Sequence, residues 1–343
     1  MDRLRKWGYV FGCAVLAAGL NPAWAGPLGP SLADSGGVTR PVHARVEVVE
    51  PEGPVAGGAT RSERSVVATS GGAESLASVG EEVQGEEAES SVVPETPEPS
   101  RVMRVPDIVW VTLPGGSFMM GSTRGRRHEQ PVHRVIVGAF EISKAEVTVG
   151  QYRLCVEAGE CTEPESRWEG CNWGRPDRED HPVNCVDWTQ AVQFARWVGG
   201  RLPTEAEWEF AARSRGQDRT YPWGEEAPTC QRAVMPGPGG NGCGRHGTWP
   251  VCSKPRGNTE QGLCDMAGNV WEWVADWYQQ DYYADSPVDN PQGPAWGHYR
   301  GARGGAWFPP TEYLRTTARY GDRPGGQRFD VGFRVVRDVI WNQ

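Results

Sequence analysis

The first third of this 343-residue chain has few of the residues that a folded core needs. Residues 65–100 contain eight glutamates and no lysine, arginine or aromatic residue, and only Trp7 and Trp24 of the 16 tryptophans precede residue 101. A segment of this composition cannot bury enough apolar surface to offset the entropy lost on ordering it. We therefore predict that residues 26–104, rich in Gly, Pro, Ser and Glu, form a disordered tether.

The chain also lacks a strongly basic segment. Its net charge is -9, and the glutamates of residues 65–100 account for most of it, which leaves residues 101–343 nearly balanced. Nucleic acids and anionic lipid surfaces attract clusters of lysine and arginine. We expect neither a nucleic acid nor a membrane surface as a partner.

No apolar run is long enough for a permanent transmembrane helix. Tyr9–Leu20 is apolar but spans only about 12 residues, against the ~20 that a bilayer requires. Basic residues precede this run and Ala23-Trp24-Ala25 follows it, which predicts a signal peptide over residues 1–25 and no membrane anchor after cleavage. Lipidation at Cys13 is the alternative. The expected location is secreted, periplasmic or in the cell envelope.

Cysteine patterns typical of structural zinc are missing as well. Eight cysteines remain after removal of the signal peptide, and their spacing contains neither CxxC…CxxC nor CxxC…HxxxH. An even number of cysteines in an exported protein predicts disulfides, although spacing alone leaves the pairing open.

From Val105 onwards the sequence acquires the pattern of short strands. Apolar alternations such as Ile108–Val111 and Val135–Val137 are separated by Gly and Pro clusters. After Trp277 there is much Gly, Pro and aromatic content but little periodicity, which predicts a high proportion of loop.

Three helices are marked by their first residues. Thr148 with Gln151, and Thr204 with Glu207, each match a capping box, in which the hydroxyl accepts from a free amide and the later side chain reaches back. Asp187 can cap a third helix over Trp188–Val198, which Gly199-Gly200 would end. Because Glu205, Glu209 and Arg213 are spaced four apart, we predict that they form an ion-pair network on one helix face.

Eight motifs follow one another through this second part of the chain, among them RLPTEAEWE and DMAGNVWEW. They are Gly115–Gly121, Glu129–His133, Glu146–Thr148, Arg201–Glu209, Tyr221–Gly224, Asp265–Trp273, Arg303–Trp307 and Gly332–Arg334. In this order they resemble the signatures of the sulfatase-modifying factor, or formylglycine-generating enzyme, family. The resemblance implies an α+β domain of C-type-lectin-like fold over residues 105–340, with short strands, about three helices and many loops.

The resemblance also implies a calcium site. In the family the motif that matches Asp265–Trp273 wraps a calcium ion. Matching positions assign the Asp265 and Glu272 carboxylates and the Gly268 and Val270 carbonyls as ligands. Hard oxygen donors of this kind suit Ca²⁺. A tight turn without metal, in which Glu272 caps backbone amides, is the alternative.

A second calcium site of the family is predicted to be lost. The positions that supply its side-chain ligands fall near Ala233 and Cys243, and neither residue offers a hard oxygen donor from its side chain. Cys230 lies close to one half of that site. We therefore expect a Cys230–Cys243 disulfide to hold together what an ion holds in relatives.

The catalytic cysteines of the family are absent. Formylglycine-generating enzymes hold copper with two cysteines after the Arg-Gly-Gly motif, and Cu(I) requires soft thiolate ligands. Here the corresponding segment, Ala306–Arg315, contains no cysteine, and none follows Cys264. Bound copper is therefore not expected, and the serine that follows the motif in those enzymes is replaced by Ala306.

Two functions remain compatible with this sequence. In the first, the domain is a non-catalytic binding or accessory module for an exported protein, peptide or glycan. Its candidate groove is lined by Trp296, Tyr299, Ala306, Trp307, Phe308 and Tyr313. In the second, it is an enzyme or maturation factor of the same superfamily, of formylglycine-generating or chromophore-maturation type, which modifies another exported protein.

Overall fold

A computed structural model describes residues 105–308 and 310–339 of the chain. The predicted signal peptide (residues 1–25) and tether (residues 26–104) lie outside the described residues. Within the described part, none of the helices combines the length and the hydrophobicity that crossing a bilayer would require.

Three α-helices form where the capping residues predict them. They are α1 (Val149–Ala158), α2 (Trp188–Trp197) and α3 (Glu205–Ala212), and each begins with a complete capping box. Thr148 accepts from Gln151 N at 3.2 Å, and Asp187 accepts from Gln190 N at 2.8 Å. Helix α2 ends one residue before the predicted end, because Val198 forms its C-cap.

In residues 105–308 and 310–339, nine short strands form three sheets. The strands are β1 (Trp110–Leu113), β2 (Gly116–Met120), β3 (His133–Val137), β4 (Phe140–Ser143), β5 (Trp271–Trp277), β6 (Arg300–Arg303), β7 (Arg319–Asp322), β8 (Val331–Gly332) and β9 (Val336–Asp338). Their orders are β1-β4-β9, β2-β3 and β7-β6-β5-β8, and only β5 and β8 pair in parallel. Strand β1 begins at Trp110 rather than Ile108, since Trp110 pairs with Ser143, the last residue of β4. These elements confirm an α+β fold rich in loops.

Two large apolar clusters and a smaller third one make up the core of the described residues. Tyr152, Phe194 and Phe333 pack together in one of them, with ring centroids 5.6–6.3 Å apart. Trp208 and Phe210 of α3 belong to the other, together with side chains of β2, β3 and β4. Aromatic side chains bury a large apolar area each, so a domain with few ladder hydrogen bonds can still form a dense core.

Four local disulfides hold the loops between these elements. The pairs are Cys155–Cys161, Cys171–Cys185, Cys230–Cys243 and Cys252–Cys264. Each joins cysteines no more than 14 residues apart in the sequence. Cross-links of this kind restrict the unfolded chain, and in this domain they restrict the long connections between α1 and β5.

Candidate functional site

A buried ion-pair network fixes the start of Ala306–Arg315, the segment that the resemblance aligns with the family's copper site. Arg303, the last residue of β6, donates to Glu205 at 3.0 Å and to Glu209 at 2.6 Å. Arg319 of β7 donates to Glu205 at 2.7 Å, and Arg213 lies 3.2 Å from Glu209. The predicted network on α3 therefore exists, and it extends to two strands that the spacing could not identify. Buried ion pairs of this kind keep their partners in fixed positions, because separating them would leave an uncompensated charge in the core.

Two glycines form the turn that leads from β6 into the Ala306–Arg315 segment. Gly304 and Gly305 have φ values of +97° and +72°, which side-chain-bearing residues rarely adopt. A Cβ on Gly305 would lie 2.9 Å from the Tyr313 carbonyl oxygen. The turn thus folds Ala306–Arg315 back on itself.

The first half of the segment is largely filled by aromatic rings. Ala306 is buried, as is Trp307, whose Nε1 donates to the Phe329 carbonyl at 3.4 Å. Trp307, Phe308 and Phe329 form a triangle with ring centroids 5.5–5.6 Å apart. Of these three rings, Phe308 is the exposed one, at 37% of its area.

The second half, a 3₁₀ helix over Thr311–Leu314, packs on a further aromatic group. The Tyr313 ring lies 5.2 Å from that of Trp271, which in turn lies 5.2 Å from Tyr320. Arg126 lies 4.4 Å above the Tyr313 ring and forms an ion pair with Glu312. Trp271, Tyr320 and Phe329 were not among the predicted site residues, since they lie outside the Ala306–Arg315 segment and Trp271 is 35 residues before it.

The predicted groove residues fall into two groups. Ala306, Trp307, Phe308 and Tyr313 lie together in the segment, whereas Trp296 and Tyr299 lie in the loop before β6. These last two are exposed, at 67% and 44%. Trp296 has its ring contact with His298, at 6.2 Å, and within residues 105–308 and 310–339 no ring contact joins Trp296 or Tyr299 to Trp307.

A cavity of about 610 Å³ lies beyond the end of the segment. It combines an apolar wall with arginine and hydroxyl side chains, including Phe118, Met119, Ser122, Arg124, Thr220, Arg315 and Thr317. Arg315 is held there by Glu129, which accepts from it at 2.6 and 2.7 Å.

Thiol chemistry has no residue to support it in the described part of the chain. All eight cysteines between residues 105 and 339 are paired in the four disulfides. The predicted Cys230–Cys243 disulfide is present, and the Sγ atom of Cys243 lies 3.4 Å from the carbonyl oxygen of Ala233. The bridged Cys230 and Cys243 thus lie at the position that the resemblance assigns to the family's second calcium site.

The four predicted calcium ligands are buried in the turn that precedes β5 and in β5 itself. Asp265 accepts from Cys252 N at 2.6 Å through Oδ2. Glu272 accepts from Trp208 Nε1 and from Arg334 Nε, both at 2.6 Å. Among the described residues no hydrogen bond reaches the carbonyl oxygens of Gly268 and Val270.

A third carboxylate, Glu146, lies beside this turn and was not a predicted ligand. Its oxygens accept from Asn269 Nδ2 at 2.9 Å and from Val270 N at 3.3 Å. Burial, together with the charges of Asp265 and Glu272, raises the pKa of Glu146 well above its ordinary value. Burial also raises the pKa of Asp265 to about 6. Within the described residues no three His, Cys, Asp or Glu side chains are arranged to hold a metal by themselves, so an ion here would need the carbonyl oxygens.

Comparisons with known proteins agree with these features. The chain is 35% identical over 282 residues to the formylglycine-generating enzyme of Streptomyces coelicolor, an alignment that covers 67% of this chain and 89% of that enzyme. It is 37% identical over 247 residues to the serine/threonine-protein kinase pkn1 of Chlamydia caviae, but it spans only 38% of that protein. The structure of PvdO from Pseudomonas aeruginosa is 30% identical, with a TM-score of 0.58 and coverage of 67% of this chain and 94% of that one.

The family assignment follows from the extent of these matches. The profile of the sulfatase-modifying factor enzyme 1-like domain matches residues 93–339, which include all of the described structure. The chain therefore belongs to the sulfatase-modifying factor family.

Proposed function

We propose that this member of the family is a non-catalytic binding or accessory module that acts on an exported or envelope partner. The observation that carries the proposal is that Ala306–Arg315 contains no cysteine, while all eight cysteines of the described part are bridged. Copper(I) would find no pair of thiolates there, and oxygen or nitrogen ligands are poor substitutes for them.

The packing of the segment supports the same proposal. Where a reactive centre would need room for a substrate atom, Trp307 fills the space against Phe329, and Ala306 offers no polar group. Exposed rings remain around it, at Phe308 and at the separate Trp296 and Tyr299. Aromatic rings with one free face commonly contact peptides and sugars, so binding is the chemistry that this surface can perform.

Aldehyde formation on a sulfatase peptide tests the proposal. The chain is co-expressed with a peptide containing Cys-x-Pro-x-Arg in the presence of copper, and the Streptomyces enzyme serves as the positive control. We expect no conversion of the peptide cysteine by mass spectrometry. Conversion that depends on copper would contradict the proposal.

A second candidate is an enzyme or maturation factor that modifies another exported protein. The similarity to formylglycine-generating enzymes over 89% of the Streptomyces enzyme favours it. Because the disulfides exclude a thiolate centre among the described residues, such an enzyme would use other groups. A mass change in the peptide without copper would favour this candidate over the first.

The environment of the Asp265 turn is compatible with a bound calcium ion. Three buried carboxyl groups, those of Glu146, Asp265 and Glu272, lie near the Arg334 guanidinium, and the charge of Lys254 also acts on Asp265. Burial, together with this excess of acidic groups over cations, raises the pKa of Glu146 and of Asp265, so their ionisation costs free energy that a bound cation would lower. The carbonyl oxygens of Gly268 and Val270 lack donors, and both are groups that Ca²⁺ accepts as ligands. We include in the proposal a structural Ca²⁺ held by Asp265, Gly268, Val270 and Glu272, which would neutralise this excess.

An exported location completes the proposal. Four disulfides in one domain are typical of proteins that fold in oxidising compartments. The composition of residues 1–25 supports export independently. Secretion of the full-length chain, with loss of residues 1–25 by mass, would test this part.

A further inference from the structure

Trp249 lies between two cations. The Cζ atom of Arg245 is 3.6 Å from the centroid of its ring, and the Nζ atom of Lys254 is 3.5 Å from it. Two side chains at these distances would overlap if they shared a face, so they cover opposite faces of the indole. Each is attracted by the negative face of the ring, which stabilises this layered arrangement.

Neither cation has an acidic partner among the described residues. No ion pair of residues 105–308 and 310–339 includes Arg245 or Lys254, whereas Arg178 pairs with Asp177 and Arg232 with Glu226 in the same region. Arg245 is exposed, and Lys254 is half-buried. The buried Asp265 carboxylate acts on Lys254 from beyond ion-pair distance, and Arg245 is the exposed cation of the two. Together the two cations give this surface a local positive potential that attracts anions.

The cation layer is joined directly to the segment of the candidate site. Trp249 Nε1 donates to the carbonyl of Gly242 at 2.9 Å, and Gly242 N donates to the carbonyl of Trp307 at 2.9 Å. Asn269 makes a second connection: its Oδ1 accepts from Trp249 N at 3.0 Å and its carbonyl accepts from Trp307 N at 2.9 Å. Phe308, the exposed ring of the segment, follows Trp307 in the chain. The cations therefore adjoin the aromatic surface to which we assign binding.

A disulfide holds the loop that carries Arg245. Cys243 is bridged to Cys230, and its backbone N–H donates to the carbonyl of Met235 at 2.7 Å. Arg245 lies two residues further on. A cross-linked loop loses little entropy when it binds a ligand, which favours a preformed site.

The spacing of the cations indicates the shape of the ligand. Placed on opposite faces of one ring, the two charges are about 7 Å apart at most, the separation that two cation–ring contacts allow. In an extended peptide, side chains two residues apart point to the same side and are separated by roughly 6.6 Å. Two carboxylates at positions i and i+2 of such a peptide would reach both cations at once.

We propose that Arg245, Trp249 and Lys254 form a binding site for an extended acidic peptide of the partner, with carboxylates at alternate positions. The site rests on the proposed binding function and gives it a ligand class. The peptide would continue from this site towards Phe308, so that an apolar side chain next to the acidic residues would contact its ring.

Labelled peptides with three acidic patterns test the site by fluorescence anisotropy with the mature chain. One peptide carries Glu-x-Glu, the second carries two adjacent glutamates, and the third carries Gln-x-Gln. We expect the Glu-x-Glu peptide to bind most tightly. Its affinity should fall as the salt concentration is raised, because salt screens exposed charges. Equal affinity for all three peptides would overturn the proposal.

Matched variants connect the binding to the two cations. Arg245→Gln and Lys254→Gln are each expected to lower the affinity for the Glu-x-Glu peptide by up to about fivefold, which is the range of an exposed charge pair. The double variant should lower the affinity further. Arg256→Gln is the control, since Arg256 is an exposed cation nearby that donates to Gln231 at 2.7 Å. Circular dichroism and melting temperature verify that each variant folds.

Two other results would contradict the site. Unchanged peptide affinity in the folded double variant would exclude these cations as the contact. The site would instead bind a glycan if a sulfated oligosaccharide bound more strongly than Glu-x-Glu and lost its affinity in the same double variant. Neither result depends on aldehyde formation. The peptide-binding site and the non-catalytic assignment can therefore be contradicted independently of each other.

Discussion

Buried acidic side chains distinguish this domain at the scale of single residues. Asp276, near the end of β5, is 3% exposed, and its Oδ2 accepts from Glu205 N at 2.8 Å. Burial, and next the charge of the Glu205 carboxylate, raise the pKa of Asp276 to about 8. The folded protein thus holds a proton that the unfolded chain, with an ordinary aspartate, releases above a pH of about 4.

The pH dependence of stability should reveal this group. Because its pKa is higher in the folded state, the stability that it contributes is complete at low pH and is lost as pH rises from about 4 to 8. Asp276→Asn removes the titration while keeping an oxygen acceptor for Glu205 N. We expect the variant to lose less stability than the natural protein between pH 5 and pH 8 in urea unfolding.

Asp285→Asn is the matched control for that measurement. Asp285 is an exposed acid nine residues further along the chain, and its substitution should leave the pH profile unchanged. A profile for Asp276→Asn that runs parallel to that of the natural protein would show that Asp276 is ionised in the folded state.

At the scale of elements, local sequence patterns were sufficient to predict the helices, but they could not predict contacts between residues far apart in the chain. Capping boxes at Thr148 and Thr204 and the N-cap residue Asp187 identified the three α-helices of the described residues, because a cap needs only residues three positions apart. The aromatic support of the candidate site could not be predicted in this way. Trp271 of β5 and Tyr320 of β7 lie beside the segment because both strands pair with β6, whose end at Arg303 leads into it. Phe329 contacts Trp307 from the turn before β8.

The Asp265 turn carries a prediction at this scale. If Ca²⁺ binds there, calcium at ~100 times its dissociation constant should stabilise the domain by about 2.7 kcal/mol relative to excess chelator, which raises the melting temperature. Asp265→Asn should abolish this response. In chelator the same variant should be at least as stable as the natural protein, because one of three mutually repelling carboxylates has been neutralised.

An exposed acid gives the control for the calcium measurement. Asp281→Asn, on the surface before Tyr282, should keep the full response to calcium. Equal melting temperatures in calcium and chelator for the natural protein would favour the metal-free turn, in which Arg334 alone balances Glu272.

The whole molecule combines the family's domain with a segment, Ala306–Arg315, that contains no cysteine. The sequence motifs identified the family and the disulfide-rich class, and the α+β architecture follows them. The pairing of the cysteines and the filling of the segment by Trp307 depend on three-dimensional packing, which no spacing rule describes. Together they place aromatic rings in the Ala306–Arg315 segment, beside the cations Arg245 and Lys254.

Titration of Cu(I) into the mature, disulfide-intact protein tests the central claim most directly. Since every cysteine of the described domain is bridged, no pair of thiolates is available, and we predict no stoichiometric Cu(I) binding in competition with a chromogenic chelator. The Streptomyces enzyme provides the positive control. Tight binding of one Cu(I) per chain, with no disulfide reduced, would contradict the account.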